Sequence, residues 1–312
     1  MEKRPLGRSG ISVAPLIFGG NVFGWTADEA TSFSLLDAFV AGGFDCIDTA
    51  DVYSAWVPGH TGGESETVIG KWLKRRGRRD DVVIATKVGM WPRHNGLKAA
   101  TITAAVDESL ERLQTDYIDL YQSHRDDPET PLDETLEAYS RLIAAGKVRA
   151  IGASNYDAAR LSEALKVSAD AGIPRYETLQ PEYNLVNRKI EADLVPLCIE
   201  QGIGIISYYG LAGGFLTGKY RTEADLTQSP RGRTVKRYMD EKGLRVVDAI
   251  ESVAAEAAAS AAQVALAWIM AKPGLTAPLA SATSLAQLED IMGAARLRLT
   301  AEQMGKLDAA SA

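Results

Sequence analysis

The chain has 312 residues, enough to bury a large core as one α/β barrel or as two smaller domains. Its 46% hydrophobic and 24% charged residues are ordinary for a soluble globular protein. The net charge of −7 argues against a general nucleic-acid or anionic-membrane surface, though it leaves room for a local basic pocket. The two cysteines, Cys46 and Cys198, lie in apolar surroundings and read as reduced, buried thiols rather than a disulfide framework. The opening Met1-Glu2-Lys3-Arg4-Pro5 has no apolar stretch of the kind a secretion signal carries, and no run approaches a membrane span. We therefore expect a soluble, cytoplasmic protein.

Residues 3–15 read as a small hairpin around the turn cluster Gly7-Arg8-Ser9-Gly10. Leu16-Ile17-Phe18 is a buried strand ending in Gly19-Gly20. Asp28 is an N-cap for a helix through Phe33, Leu36 and Val40 that stops at Gly42-Gly43. Cys46 to Asp48 is the second strand, followed by a loop rich in Gly, Trp and Pro and a helix bearing Val68, Ile69, Trp72 and Leu73. The alternation continues with strand 82–86, helix 102–113 with Thr101 near its cap, strand 117–121, helix 132–145, strand 148–152 and helix 158–171. Then come strand 178–180, helix 190–201, strand 204–208, a polar loop over 221–242, an Ala-rich helical region over 244–270, strand 277–280, a segment over 284–292 and a terminal helix. Eight strand–helix units without a linker predict one domain over 1–312, an α/β fold built as a single (β/α)8 TIM barrel rather than an open doubly wound sheet.

In such barrels the loops after the strands carry the chemistry. The second strand is apolar while covered and turns polar at Asp48, with Tyr53 just beyond; the third ends in Lys87 and the fourth in Ser123-His124-Arg125. The fifth ends in Ser154-Asn155, the sixth in Gln180 and the seventh in Tyr208-Tyr209. Four ionisable groups on one rim suit proton transfer to a developing alkoxide. A tyrosine holds its proton to about pH 10, and a neighbouring ammonium from Lys87 is expected to lower that value toward working pH. Asp48 holds the lysine charged and in place, and His124 orients a substrate carbonyl. The amides of Asn155 and Gln180 suit a flat carboxamide and Tyr208 suits stacking on a ring, so hydride transfer from a nicotinamide is the expected chemistry. Only three histidines, His60, His94 and His124, are present, without a tight ligand motif, so no metal site is expected.

The segments Phe44 to Tyr53, Gly63-Glu64-Ser65-Glu66, Thr86-Lys87, Tyr121-Gln122-Ser123-His124, Gly146 to Asn155 and Leu216-Thr217-Gly218-Lys219-Tyr220 together resemble an aldo-keto reductase, over nearly the whole chain. The resemblance implies a (β/α)8 barrel closed at the bottom by the N-terminal hairpin. It implies a catalytic tetrad of Asp48, Tyr53, Lys87 and His124, with Tyr53 as general acid in carbonyl reduction or base in alcohol oxidation. Nicotinamide contacts then fall on Ser154, Asn155, Gln180 and Tyr208. Further cofactor contacts are expected at Gly20, Asn21, Gly210, Leu211, Gly213, Lys219, Ser281, Thr283, Gln287 and Asp290. Phe23, Trp56, Trp91 and Arg125 are the substrate-facing candidates.

The chain departs from the family pattern in two places. Tyr209-Gly210-Leu211 replaces a frequent Ser-Pro-Leu, and Ala280-Ser281-Ala282-Thr283-Ser284 lacks the cation that relatives often place there, with Ile291 in place of a frequent asparagine. Arg231 and Arg233 are the remaining candidates to pair a 2′-phosphate, a role that suits arginine geometry. NADPH is the cofactor the resemblance implies, with NADH as the alternative. The expected partner is a small carbonyl or alcohol compound, with no nucleic acid and no membrane. A cofactor-binding redox-sensing or regulatory subunit with little turnover is the competing function. A Rossmann dehydrogenase is rejected because Gly210, Gly213 and Gly214 lack GxGxxG spacing.

Overall fold

A computed structural model describes residues 1–228 and 232–312, apart from the side chains of Gln228 and Arg233. Eight parallel strands close into a barrel: β1 (Ile17–Gly19), β2 (Cys46–Asp48), β3 (Val83–Val88), β4 (Ile118–Ser123), β5 (Val148–Ser154), β6 (Tyr176–Gln180), β7 (Gly204–Ser207) and β8 (Leu275–Ala280). Each strand pairs with the next, and β8 returns to β1 through Ala280 opposite Phe18. The expected TIM barrel is the observed fold.

Strand periodicity divides the core into two shells. Ile17, Cys46, Val83, Ala85, Leu120, Ala150, Ile206, Ala277 and Leu279 fill the barrel, joined from below by Leu6, Ile11 and Val13. Those last three come from the N-terminal hairpin, Arg4–Pro5 paired antiparallel with Ser12–Val13. Ile47, Ile84, Tyr121 and Ile151 belong to the second shell, under the helices. Both thiols are free and buried, Cys46 inside the barrel and Cys198 in the outer shell.

The helices relevant to the site are α1 (Glu29–Ala41), α2 (Glu64–Arg76), α3 (Ala99–Leu113), α4 (Leu132–Ala144), α5 (Ala158–Ala171) and α6 (Leu194–Gln201). After them come α7 (Glu241–Ala257), α8 (Ala261–Ala271), α9 (Leu285–Gly293) and α10 (Ala301–Ser311). Asp28 caps α1 by accepting from the Thr31 amide, as the sequence suggested.

Three expectations are corrected. The helical region over 244–270 is two helices that meet at 96°. Ala258 turns left-handed (φ 49°) and Ser260 starts the second helix with a capping box to Gln263. The third helix begins at Ala99 rather than near Thr101, because Glu134 of α4 accepts from the Ala99 amide (2.9 Å) and does the work of a local cap. The sixth begins at Leu194 rather than Ile190: Asp193 interrupts the turn over Lys189–Glu191 and accepts from the Leu194 amide, and Pro196 lies in the first turn, where a missing N–H costs nothing. Among the described residues no single helix is long and apolar enough to cross a membrane.

Candidate active site

Along β2, β3 and β4 the inward positions are apolar low down and polar at the top. Cys46 is followed by Asp48, Val83 and Ala85 by Lys87, and Leu120 by Gln122. Pairing sets Asp48 opposite Ala85 and Lys87 opposite Gln122, so the polar positions form one layer at the strand exits. Lys87 is 1% and Asp48 0% exposed. An ion pair so deep is tolerated only when its remaining hydrogen-bonding capacity is met, and here it is. The ammonium spends its three donors on Asp48 Oδ2 (2.5 Å), the Thr49 carbonyl (2.9 Å) and Tyr53 Oη (3.0 Å). Asp48 Oδ1 accepts from Gln180 Nε2 (2.8 Å) and Gln122 Nε2 (3.2 Å).

Tyr53 arrives on the loop after β2, which the Thr49 and Asp51 amides tie to the Ala85 and Lys87 carbonyls of β3 (2.8 and 3.2 Å). The loop thus places the phenol against the lysine that β3 delivers. Burial pushes the Tyr53 phenol above its ordinary value, and the Lys87 ammonium pulls the other way. The expected net lowering is therefore corrected: desolvation outweighs the lysine, and the phenol keeps its proton at neutral pH. Burial works against the Lys87 charge, but Asp48 and Tyr53 together raise it above the ordinary lysine value.

His124 lies beside the pair, with its ring centroid 6.0 Å from that of Tyr53. Burial first, then Lys87 and Arg125, hold it well below the usual histidine range. It is neutral near pH 7, and its Nδ1 is buried without a hydrogen-bond partner. A neutral imidazole has one N–H to offer a substrate oxygen. The four residues of the expected tetrad are thus brought together.

Ser154, Asn155 and Tyr208 form the adjoining wall. Asn155 adopts a left-handed backbone (φ 59°), a conformation asparagine accepts more readily than most residues. It donates to the His124 carbonyl (2.9 Å) and accepts from the Tyr208 hydroxyl (2.8 Å). Ser154 Oγ donates to the Gln180 carbonyl (2.8 Å). The Gln180 amide is turned toward Asp48 and Gln122, so in this structure it braces the ion pair. Burial pushes the Tyr208 hydroxyl up to about 12, which leaves a neutral, half-buried ring at the rim.

On the other side, Ser281 Oγ lies 2.7 Å from both the Gly19 carbonyl and Asn21 Oδ1, stitching β8 to the turn at Gly20–Val22. A Cβ at Gly20 would meet the Asp48 carbonyl oxygen at 2.8 Å. Thr283 and Gln287 bond one another at the start of α9, and Asp290 accepts from Gln263 of α8 (3.1 Å). The segment after β7 bends back at Gly213 (φ 70°) and Gly214 (φ 99°), while Gly210 packs so closely on Leu266 that a Cβ would lie 3.0 Å away. Leu211 is part of that bend, its carbonyl accepting from the Gly214 amide, and Lys219 beyond it is exposed. Arg231 and the side chain of Arg233 lie outside the described residues.

Two substrate-facing expectations are corrected. Phe23 is fully buried and stacked on Phe18 (5.1 Å), because the turn at Gly20–Val22 folds it back into the outer core. Trp91 is 6% exposed; its indole donates to the Thr61 carbonyl and Arg112 lies over its ring, so it supports the loop from beneath. Trp56 is 49% exposed and packs edge-on against Tyr53, and Arg125 donates to Asn95 at the surface, so both border the rim.

The sequence reading missed several participants. Gln122 bonds Asp48, and strand alternation two residues before His124 would have found it. Trp25 packs edge-on against Trp56 (5.6 Å) and extends the aromatic wall. Arg237 lies over the Tyr209 ring and bonds Glu182. Asp51 is fully buried with neither carboxyl oxygen hydrogen-bonded.

Residues 15–312 match the model of the Aldo/keto reductase family. The chain is 36% identical to "Uncharacterized oxidoreductase YrpG" of Bacillus subtilis (strain 168), covering 99% of this chain and 95% of that one. It is 32% identical to "Probable voltage-gated potassium channel subunit beta" of Oryza sativa subsp. japonica, covering 99% and 96%. It is 31% identical to "Norsolorinic acid reductase B" of Aspergillus parasiticus, covering 96% and 81%.

Proposed function

The chain belongs to the aldo/keto reductase family, and from that premise we propose that it reduces an aldehyde, ketone or sugar carbonyl to the alcohol, or runs the reverse, with NADPH as cofactor and Tyr53 as general acid or base. The observation that carries this reading is the single ammonium of Lys87 shared between the Asp48 carboxylate and the Tyr53 phenol oxygen. A bound nicotinamide would supply or accept the hydride at the carbonyl carbon.

The chain's own residues do the rest. Oxygen that gains charge in reduction needs a proton, and a phenol that still holds one near pH 7 can give it. The phenolate left behind is stabilised by the Lys87 ammonium, in a site where water does not screen the attraction. Asp48, itself pinned by Gln122 and Gln180, keeps that ammonium from turning away. Neutral His124 holds the substrate oxygen near Tyr53 without competing as a cation. The wall of Ser154, Asn155 and Tyr208 offers amide, hydroxyl and ring to a flat carboxamide, which fits a nicotinamide.

The segment after β8 has no cation of its own, and Ser281, Thr283 and Gln287 are engaged with one another and with neighbours. A 2′-phosphate would therefore rely on cations of the loop after β7, where Lys219, Arg231 and Arg233 are the candidates. We expect NADPH to quench the tryptophan fluorescence at lower concentration than NADH. Arg233→Ala should weaken NADPH by about tenfold and leave NADH alone, the effect of one charge-assisted hydrogen bond. Equal affinity for both cofactors in the wild type would contradict the NADPH assignment, and binding of neither would contradict the reductase reading itself.

A second reading, a cofactor-binding regulatory subunit with little turnover, draws support from the rice relative. Fast multiple-turnover reduction across a carbonyl panel would exclude it.

A further inference from the structure

We propose that Asp51 is a positioning residue for the Tyr53–Lys87 pair, held as a neutral carboxylic acid while the enzyme works near neutral pH and adding a negative charge near Lys87 once it loses its proton. The proposal rests on the roles given above to Tyr53 and Lys87. Asp51 stands on the same loop as Tyr53, two residues before it, and its amide donates to the Lys87 carbonyl. Its carboxyl is 0% exposed and neither oxygen finds a hydrogen-bond donor. A carboxylate buried without a well-formed hydrogen bond or an ion pair of its own costs more than the neutral acid, so the proton stays on.

The groups that bear on Asp51 come from five of the surrounding elements. Glu66 of α2 is fully buried and already paired: its oxygens accept from Thr86 Oγ1 (2.6 Å) and from Arg112 Nε of α3 (2.7 Å). Arg112 is thereby committed to Glu66, and also reaches Glu108 and Ser109. Lys87 of β3 spends all three donors elsewhere. Tyr121 of β4 has a buried hydroxyl with no partner, and its phenol, like that of Tyr139 on α4, is pushed up by burial and in part by Asp51. Burial, and after it the neighbouring Glu66 charge, push the Asp51 carboxyl up to about 8 against the pull of Arg112, the Val52 amide and Lys87. Its charge thus changes in the range where the direction of a nicotinamide reaction is set by pH.

The sign follows. An ionised Asp51 attracts the Lys87 ammonium, so it holds the lysine proton more tightly and, by offsetting that ammonium, makes Tyr53 harder to ionise. Alcohol oxidation, which needs the phenolate, then rises less steeply with pH than it would with a neutral residue at 51.

The test is a pH titration of the full-length protein labelled with 13Cζ-tyrosine, with the Tyr53 resonance assigned through Tyr53→Phe. The wild type should show a small step in that resonance near pH 8, before Tyr53 itself ionises. Asp51→Asn, an isostere of the neutral acid, should abolish the step and move the Tyr53 ionisation to lower pH. The same substitution should raise the ratio of alcohol oxidation at about pH 9 to that at about pH 7 by about threefold, the coupling typical of neighbouring charged groups. Glu66→Gln, which keeps Asp51 and removes the carboxylate beside it, should shift the step to lower pH, and it serves if Asp51→Asn does not fold. A step that persists in Asp51→Asn, or Tyr53 titrating unchanged in that variant, would overturn the proposal. Neither readout of the resonance needs turnover, so a wild-type protein that reduces no carbonyl would refute the reductase reading separately.

Discussion

Tyr53→Phe is expected to cut carbonyl reduction by about a thousandfold, the worth of a well-placed general acid. Nicotinamide affinity should be nearly unchanged, because the phenol oxygen bonds to Lys87 and Asp48 rather than to the wall of Ser154, Asn155 and Tyr208. The loss should fall on kcat, since the proton is needed in the transition state and not in the ground-state complex. Phenylalanine fills the same volume between Trp56 and His124, so the fold should persist. Stopped-flow reduction with cofactor bound checks this, and a kcat within a few-fold of wild type would remove Tyr53 from the acid role.

Lys87→Met should be nearly as damaging to rate, by about a hundredfold, for a different reason. Burial already pushes the phenol up, and the lysine is what opposes that push. Without it the phenolate has no counter-charge, so the inflection for alcohol oxidation moves to higher pH and the phenol becomes a poorer acid in reduction. Stability should fall as well, by about 3 kcal/mol in urea unfolding, because Asp48 stays buried without its cation. The double variant Asp48→Asn with Lys87→Met should recover much of that stability and none of the rate. A Lys87→Met protein with the wild-type pH profile would contradict the role given to the ammonium.

Much of this arrangement was legible because strand alternation is a strong signal and the barrel uses it twice. Inward residues such as Cys46, Val83, Ala85 and Leu120 read as apolar, and the next inward residue on each strand, Asp48, Lys87 and Gln122, breaks that pattern where the strand surfaces. What stayed hidden depended on tertiary placement. Phe23 follows a strand, as a rim aromatic would, but a turn of three residues folds it onto Phe18. Trp91 sits on a rim hairpin yet turns beneath Thr61 and Arg112. The break at Ala258 was marked in the sequence by Ser260 and Gln263, three apart, but the alanines around them read as one helix. The direction of the Tyr53 shift could not be read from spacing, since it is set by how far desolvation exceeds one nearby charge. Asp51 was not singled out in the sequence, because its complete burial is set by tertiary packing.

Hydrogen should pass directly from the nicotinamide to a carbonyl held at Tyr53. Reduction of a simple aldehyde with cofactor deuterated at the transferable position, followed by mass spectrometry of the alcohol, tests it most directly. Each alcohol formed by the wild-type protein should carry one deuterium, and Tyr53→Phe should give almost no labelled alcohol at equal cofactor occupancy. Cofactor consumed with no deuterium in the alcohol, or equal labelling by the two proteins, would contradict it.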